Sequence, residues 1–198
     1  MDQPPTSPAS RYPLLHAPQR WAWAGLDAQF STELPPDGLV QSIHIVGFVG
    51  EMVVVCRTDG GDWFLPGGTR EPGESVVQTV DREIAEEAGA RRIGALHWFG
   101  AHHCVGDGPE PYRPHLPHPE KAWLWCLTEV VLDSSPTNPP DGEHVVEVRA
   151  ATVDDASDLL RTNEDWYPEL LALACEIRAA TTRPCDDTDL SEIPRRTT

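Results

Sequence analysis

Only one lysine, Lys121, stands among 198 residues, and the other fourteen of the fifteen basic side chains are arginines. Against them are 32 Asp and Glu, a formal net charge of −17. A chain so short of positive charge repels the nucleic-acid backbone and an anionic membrane face, which basic patches normally hold. It is therefore expected to take neither a nucleic-acid polymer nor a membrane surface as partner. No stretch approaches the roughly 18 consecutive apolar residues of a membrane-spanning helix. The N-terminus MDQPPTSPAS lacks the basic start and apolar run of a secretory signal. The five cysteines are odd in number and contain no CxxC pair, which suits neither a disulfide framework nor a cysteine-rich zinc site. Cys56 and Cys126 sit in apolar runs and read as small core residues. A reducing cytoplasm is the expected compartment. No GxSxG segment is present, so a serine hydrolase has no support.

What is present fits one domain with extensions. Residues 1–38 carry seven prolines and read as a Pro-rich N-terminal extension, partly disordered, whose Trp21 and Trp23 dock on the domain. Residues 39–180 form the domain, and 181–198 read as a flexible tail without apolar period. Val40–Val49 and Met52–Arg57 are β-branched runs joined by a Gly50–Glu51 hairpin turn. Trp63–Leu65, Ile93–Val105, Ala122–Leu132 and His144–Ala151 read as further strands. Ser75–Ala88 has helical period, with Val77, Val80, Ile84 and Ala88 as its apolar stripe. Ser75 with Gln78 forms a capping box, and Gly89 ends the helix. Short helices follow at Asp154–Leu160 and about Pro168–Ala179. Mixed strands with few helices predict an α/β or α+β sandwich.

Gly68–Gly73 has the GxxxxG spacing of a phosphate-binding P-loop, but Glu74 stands where that loop needs its lysine. An acid there repels phosphate, so the ATP-cradling reading fails. The next helix supplies another route to phosphate. Glu83, Glu86 and Glu87 at i, i+3 and i+4 share one face, away from the valine stripe. A bare run of this kind is usually a solvated surface. Three carboxylates held together instead suit a hard divalent cation, which takes oxygen ligands and is commonly shared with substrate phosphates.

Context decides between these readings. Gly68, five residues, Glu74, seven residues, then Arg82-Glu83-Ile84-x-Glu86-Glu87-x-Gly89 resembles the Nudix box, signature of the Nudix hydrolase family. All fixed positions match over 23 residues; Ala90 is small where a larger aliphatic is usual. The resemblance implies an α/β fold, the Nudix-type α/β/α sandwich with mixed β-sheet. It implies that Glu83, Glu86 and Glu87, with the Gly68 carbonyl, bind Mg²⁺ (or Mn²⁺) and form the catalytic centre. Arg82 and Glu74 would pair structurally. The implied reaction is hydrolysis of a diphosphate linkage in a nucleoside diphosphate joined to another moiety. The general base is a box glutamate or a later-loop residue, with Glu143 and His144 as candidates. The resemblance brings a homodimer into consideration, although no residue pattern specifies one. The alternative is a non-catalytic nucleotide-ligand sensing module on the same fold; an intact set of box carboxylates argues against it.

The loop Gly106–Glu120 carries Pro109, Pro111, Pro114, Pro117 and Pro119, too many for regular structure. It brings Tyr112, Arg113, His115 and His118 beside Lys121, and inserted loops often carry specificity. Arg113, His115 and Lys121, with Arg57 and Arg70 near the box, are the candidate substrate-binding residues; a rigid connector is the alternative. His102-His103-Cys104 and His115-x-x-His118 lack a zinc signature. Trp63, Trp98, Trp123 and Trp125 fall in strands, and core packing is their default role.

Overall fold

The β-branched runs in the middle of the chain become the middle of a sheet. In the computed structural model, which describes residues 8–139 and 144–181, the order is α1 (Pro8–Arg11), α2 (Pro13–His16), β1 (Gln19–Trp21), β2 (Leu26–Ser31), a 3-10 turn at Asp37–Leu39, β3 (Val40–Val49), β4 (Met52–Thr58), β5 (Trp63–Phe64), β6 (Gly67–Thr69), α3 (Val76–Ala88), β7 (Ala90–Arg92), β8 (His97–Gly106), β9 (Glu120–Leu132), β10 (Val145–Ala151), α4 (Val153–Leu160) and α5 (Tyr167–Thr181). The sheet runs β1-β2-β8-β9-β3-β4-β10, with β5, β6 and β7 added to β4, β3 and β9. Among the described residues only β3 and β9 pair in parallel, so the sheet is mixed. Both are buried along most of their length, as strands covered on two faces must be.

Each face has its own core. Ile43, Ile45, Val54, Cys56, Leu124 and Cys126 pack against Val80, Ile84 and Ala88 of α3. On the other face Val46, Phe48, Val53, Val55, Trp125 and Leu127 pack against α4, α5 and the N-terminal segment. Burying each such side chain contributes roughly 1.5–3 kcal/mol. The result is an α/β/α sandwich. Among the described residues, no helix is long and apolar enough to cross a membrane.

The stretch before residue 39 is built into this sheet. β2 pairs with β8 from Leu26↔Gly106 to Ser31↔Ala101, and β1 lies outside it. Leu15 is fully buried, and its N–H donates to Glu169 Oε2 at 2.8 Å. Trp21 is buried, whereas Trp23 in the β1–β2 turn is 74% exposed. The Ile93–Val105 run is interrupted: β7 turns away at Ile93, and the Ile93 and Gly94 N–H groups both donate to the Glu129 carbonyl.

Two histidines make the face under α5 sensitive to acid. The Trp125 indole N–H donates to His102 Nδ1 at 2.9 Å, which places the His102 proton on Nε2. Burial lowers His102 to about 3 and His44 to about 4. In the unfolded chain both titrate near 6.5. Between these values the unfolded state binds more protons, so stability falls as pH drops below about 6.5 toward 4. The urea midpoint should therefore decline across that window; an unchanged midpoint from pH 7 to pH 4.5 would contradict two neutral buried imidazoles.

Candidate functional site

The site begins where a glycine-rich strand is laid on the sheet. β6 pairs with β3 through Ser42↔Thr69, Ile43↔Gly68 and His44↔Gly67. Helix α3 then runs beneath it. Ser75 caps α3: its hydroxyl accepts from Gln78 N at 3.3 Å, and Gln78 Oε1 accepts from Ser75 N at 2.8 Å. Gly89 closes the helix in the left-handed conformation at φ 57°, which a residue with a Cβ adopts at a cost.

The helix is rotated relative to the expected stripe. Val76 packs on the core, while Val77 is 39% exposed. The inner face therefore includes Glu83 and Glu87, both buried at 6% and 9% exposure, rather than leaving all three carboxylates on a separate side. Positions 76, 80, 83, 84 and 87 fall within one arc at 100° per residue, so this face was as consistent with the spacing as the Val77 stripe.

Arg82 organises the carboxylates, with all five guanidinium donors engaged. Nε donates to Glu74 Oε1 at 2.7 Å and Nη2 to Glu74 Oε2 at 3.0 Å. Nη1 donates to Glu83 Oε1 at 2.7 Å and to Glu86 Oε2 at 3.0 Å. Nη2 also donates to the Thr69 carbonyl at 3.0 Å. Glu74 further accepts from Glu71 N and Thr79 Oγ1. These bonds, the Arg82 guanidinium first, hold the Glu74 carboxyl down at about 2. Burial pushes the Glu83 carboxyl up, against the pull of Arg82. Glu87 Oε2 accepts from Gly67 N at 2.8 Å. The carboxylates of α3 are thus drawn to the underside of Gly67–Thr69.

The donor set is hard oxygen throughout, which suits Mg²⁺ or Mn²⁺. Gly68 gives a second sign of fit: a Cβ there would overlap the Glu83 carboxylate. Among the described residues, no three His, Cys, Asp or Glu side chains are gathered closely enough to hold one ion as they stand. Arg82 lies between Glu83 and Glu86 and balances their charge instead. Gly68→Ala is expected to displace the Glu83 carboxylate, reducing turnover by about a hundredfold with a smaller change in thermal midpoint; wild-type turnover in that variant would refute the close approach.

Of the other expected site residues, Lys121 lines the cavity beside Gly67 and Gly68, which measures about 870 Å³. Arg57 instead donates to Glu147 at 2.9 Å. Arg70 braces the loop, donating to the Asp37 and Glu74 carbonyls. Arg113 pairs with Glu71, and His115 Nε2 lies 3.0 Å from the Arg70 carbonyl. These four are not among the cavity's lining residues. Arg113 and His115, through Glu71 and the Arg70 carbonyl, fasten the Pro-rich loop to the box loop, and that loop places Tyr112 on the cavity wall. The His144 carbonyl accepts from Asp59 N; Glu143 lies outside the described residues.

Trp23, Gln41, His44 and Glu164 also line the cavity; the sequence predicts only that Trp23 docks on the domain, and carries no expectation for the other three. Burial pushes the Glu164 carboxyl up, with Asp165 adding to the shift. These residues come from three segments, with Gln41 and His44 both on β3, and no spacing links the segments. The one local signal was the alternation Leu26-Asp27-Ala28-Gln29-Phe30, which marks β2 and so the turn that carries Trp23.

Comparison with known proteins agrees with this geometry. The family model described as NUDIX domain matches residues 39–174. The chain belongs to the NUDIX family. It is 55% identical over 34 residues to the human 8-oxo-dGDP phosphatase NUDT18, covering 17% of this chain and 10% of that protein. It is 45% identical over 38 residues to the mitochondrial ADP-ribose pyrophosphatase of Rattus norvegicus, covering 19% of this chain and 11% of that protein. The chain thus spans about a tenth of the length of these two curated relatives. The crystal structure of the Bacillus subtilis pyrophosphohydrolase BsRppH superposes with a TM-score of 0.52 at 13% identity, covering 79% of this chain and 92% of that one, which shows a shared fold.

Proposed function

We propose that the chain is a Mg²⁺- or Mn²⁺-dependent pyrophosphohydrolase that cleaves a diphosphate linkage in a nucleoside diphosphate joined to another moiety. The supporting observation is the set Glu83, Glu86 and Glu87, drawn by Arg82 and Gly67 to the loop that walls a cavity of about 870 Å³. The name of one relative, an ADP-ribose pyrophosphatase, agrees with that substrate class, and the 8-oxo-dGDP named by the other carries the same diphosphate linkage without a further moiety. Glu83, Glu86, Glu87 and the Gly68 carbonyl would hold the cation, which polarises a phosphoryl oxygen and activates water. Arg82 fixes two of these carboxylates and leaves no donor idle. Thr69 and Gly68 present backbone at the cavity wall, where glycine allows a diphosphate to approach closely. Glu164 lines the same cavity, and a carboxylate raised by burial is suited to accept the proton of the attacking water. The four described cysteines are free thiols, three of them buried, which suits a reducing cytoplasm.

A panel of nucleoside diphosphate derivatives, assayed with Mg²⁺ or Mn²⁺ and a coupled phosphatase, tests the reading. Release from at least one compound, abolished by chelator, is expected. No release from any of them would favour a ligand-sensing module instead.

A further inference from the structure

The cavity wall away from the box carries groups whose partners are missing. Lys121 is 6% exposed, lines the cavity, and makes no ion pair among the described residues. In a chain of net charge −17 it is the sole lysine, and a buried cation without a counter-charge is costly. Trp123 Nε1, Gln41 Oε1 and His44 Nε2 line the same cavity, buried without hydrogen-bond partners among the described residues. Gln41 as a whole is 6% exposed. Unsatisfied buried polar groups are rare, and several on one wall point to a ligand edge. The register sets their order: Thr69 and Ser42 lie at the level of Trp123, and Lys121 lies two residues earlier on the same strand and face. The polar edge therefore lies beyond Trp123 when counted from the box.

The same wall is aromatic. Trp23 is 74% exposed and Tyr112 68% exposed, and both line the cavity. Trp23 stands 5.8 Å from Trp123, tilted by 57°. Exposed large aromatics at a cavity are costly unless something planar covers them. Trp23 belongs to the turn between β1 and β2, before the family-matched residues 39–174.

We propose that this wall binds the substrate's base and selects a keto purine, with Trp23 as the stacking surface and Lys121 as the reader of its edge. The proposal rests on the reading that the diphosphate lies at the box carboxylates. Lysine only donates, and the Trp123 indole only donates. A guanine-type ring offers carbonyl O6 and N7 together as acceptors, whereas adenine places a donating amino group beside N7. Gln41 Oε1 is left to accept from a ring N–H or amino group. A keto purine therefore gives Lys121, Trp123 and Gln41 partners, and adenine turns a donor toward Lys121.

Calorimetric titration of the full chain with GMP, AMP and ribose 5-phosphate, in chelator so that nothing turns over, tests this. GMP should bind at least about tenfold more tightly than AMP, and ribose 5-phosphate most weakly. Trp23→Ala should weaken GMP about tenfold, the low end of base stacking on an aromatic ring. Lys121→Met should bring GMP level with AMP while raising the thermal midpoint, because it removes an unpaired buried charge. Equal affinity for GMP and AMP, or unchanged GMP affinity in both variants, would overturn the proposal. GMP-selective binding without hydrolysis of any GDP derivative would remove the pyrophosphohydrolase reading and leave this one. Metal-dependent hydrolysis with no base preference would do the reverse.

Discussion

Glu86→Gln should lower kcat by about a thousandfold, roughly 4 kcal/mol of transition-state stabilisation, while the thermal midpoint moves by no more than about 3 °C. Glu86 suits this test because its side chain is 26% exposed and its only described ion pair is with Arg82 at 3.0 Å. Glutamine has the same shape and keeps a carbonyl oxygen for that bond, so packing survives. The substitution removes the negative charge, and with it, on the proposed function, a hard ligand for the cation and a share of the charge balance at the phosphoryl group. Glu83 and Glu87 are worse choices for separating chemistry from folding. Glu83 is pressed against Gly68, and Glu87 holds the Gly67 N–H. Steady-state kinetics at saturating Mg²⁺ with a thermal melt of the same preparation checks the result. Wild-type kcat in Glu86→Gln would contradict the carboxylate assignment.

The second large effect falls on stability. Arg82→Ala should cost about 3–5 kcal/mol, the usual penalty for leaving partly buried charges without their partner. At roughly 2–4 °C per kcal/mol for a domain of this size, the thermal midpoint should fall by about 6–20 °C. Arg82 is 25% exposed, and the partners it abandons, Glu74 and Glu83, are 18% and 8% exposed. Screening by solvent therefore removes little of the interaction. Arg82→Lys should recover only part of the loss, because one ammonium cannot replace two parallel bonds to Glu74 together with the bond to the Thr69 carbonyl. The pH dependence carries a separate signature. Glu74 sits at about 2 when paired and returns to its ordinary value, near 4.5, when the chain unfolds. Its stabilising contribution is complete above about 4.5 and is lost as pH falls toward 2. Glu74→Gln should flatten that acid limb, as seen by urea denaturation; an acid limb equally steep in the variant would show that the pair does not set it.

Local pattern carried a good part of this structure. The capping box, the left-handed Gly89 and the Gly50–Glu51 turn are short-range features, and each is present at the expected residues. The box spacing is also local, which is why the convergence of Gly68, Glu74, Arg82, Glu83 and Glu86 could be anticipated from one stretch of 23 residues. What escaped depends on packing. Val76 and Val77 are both valines, and only the docking of α3 decides which is buried. Glu83 and Glu87 lie on the inner face because Gly68 leaves room for Glu83 and the Gly67 N–H holds Glu87 there, a fact about β6 rather than about the helix. β1 and β2 were hidden by neighbouring prolines, although β2 alternates cleanly. The cavity wall joins Trp23, Gln41, His44, Trp123 and Glu164 from four segments of the chain, with Gln41 and His44 both on β3. No spacing rule relates such residues, because the sheet order β2-β8-β9-β3 brings them together.

The most direct test is hydrolysis of a GDP-linked diphosphate in ¹⁸O-labelled water with Mg²⁺, followed by mass analysis of both phosphate products. One ¹⁸O should enter one of the two products, at a rate that falls to background in chelator and in Glu86→Gln. Equal incorporation with and without the cation, or none at all at full Mg²⁺, would contradict a diphosphate-cleaving centre built on Glu83, Glu86 and Glu87.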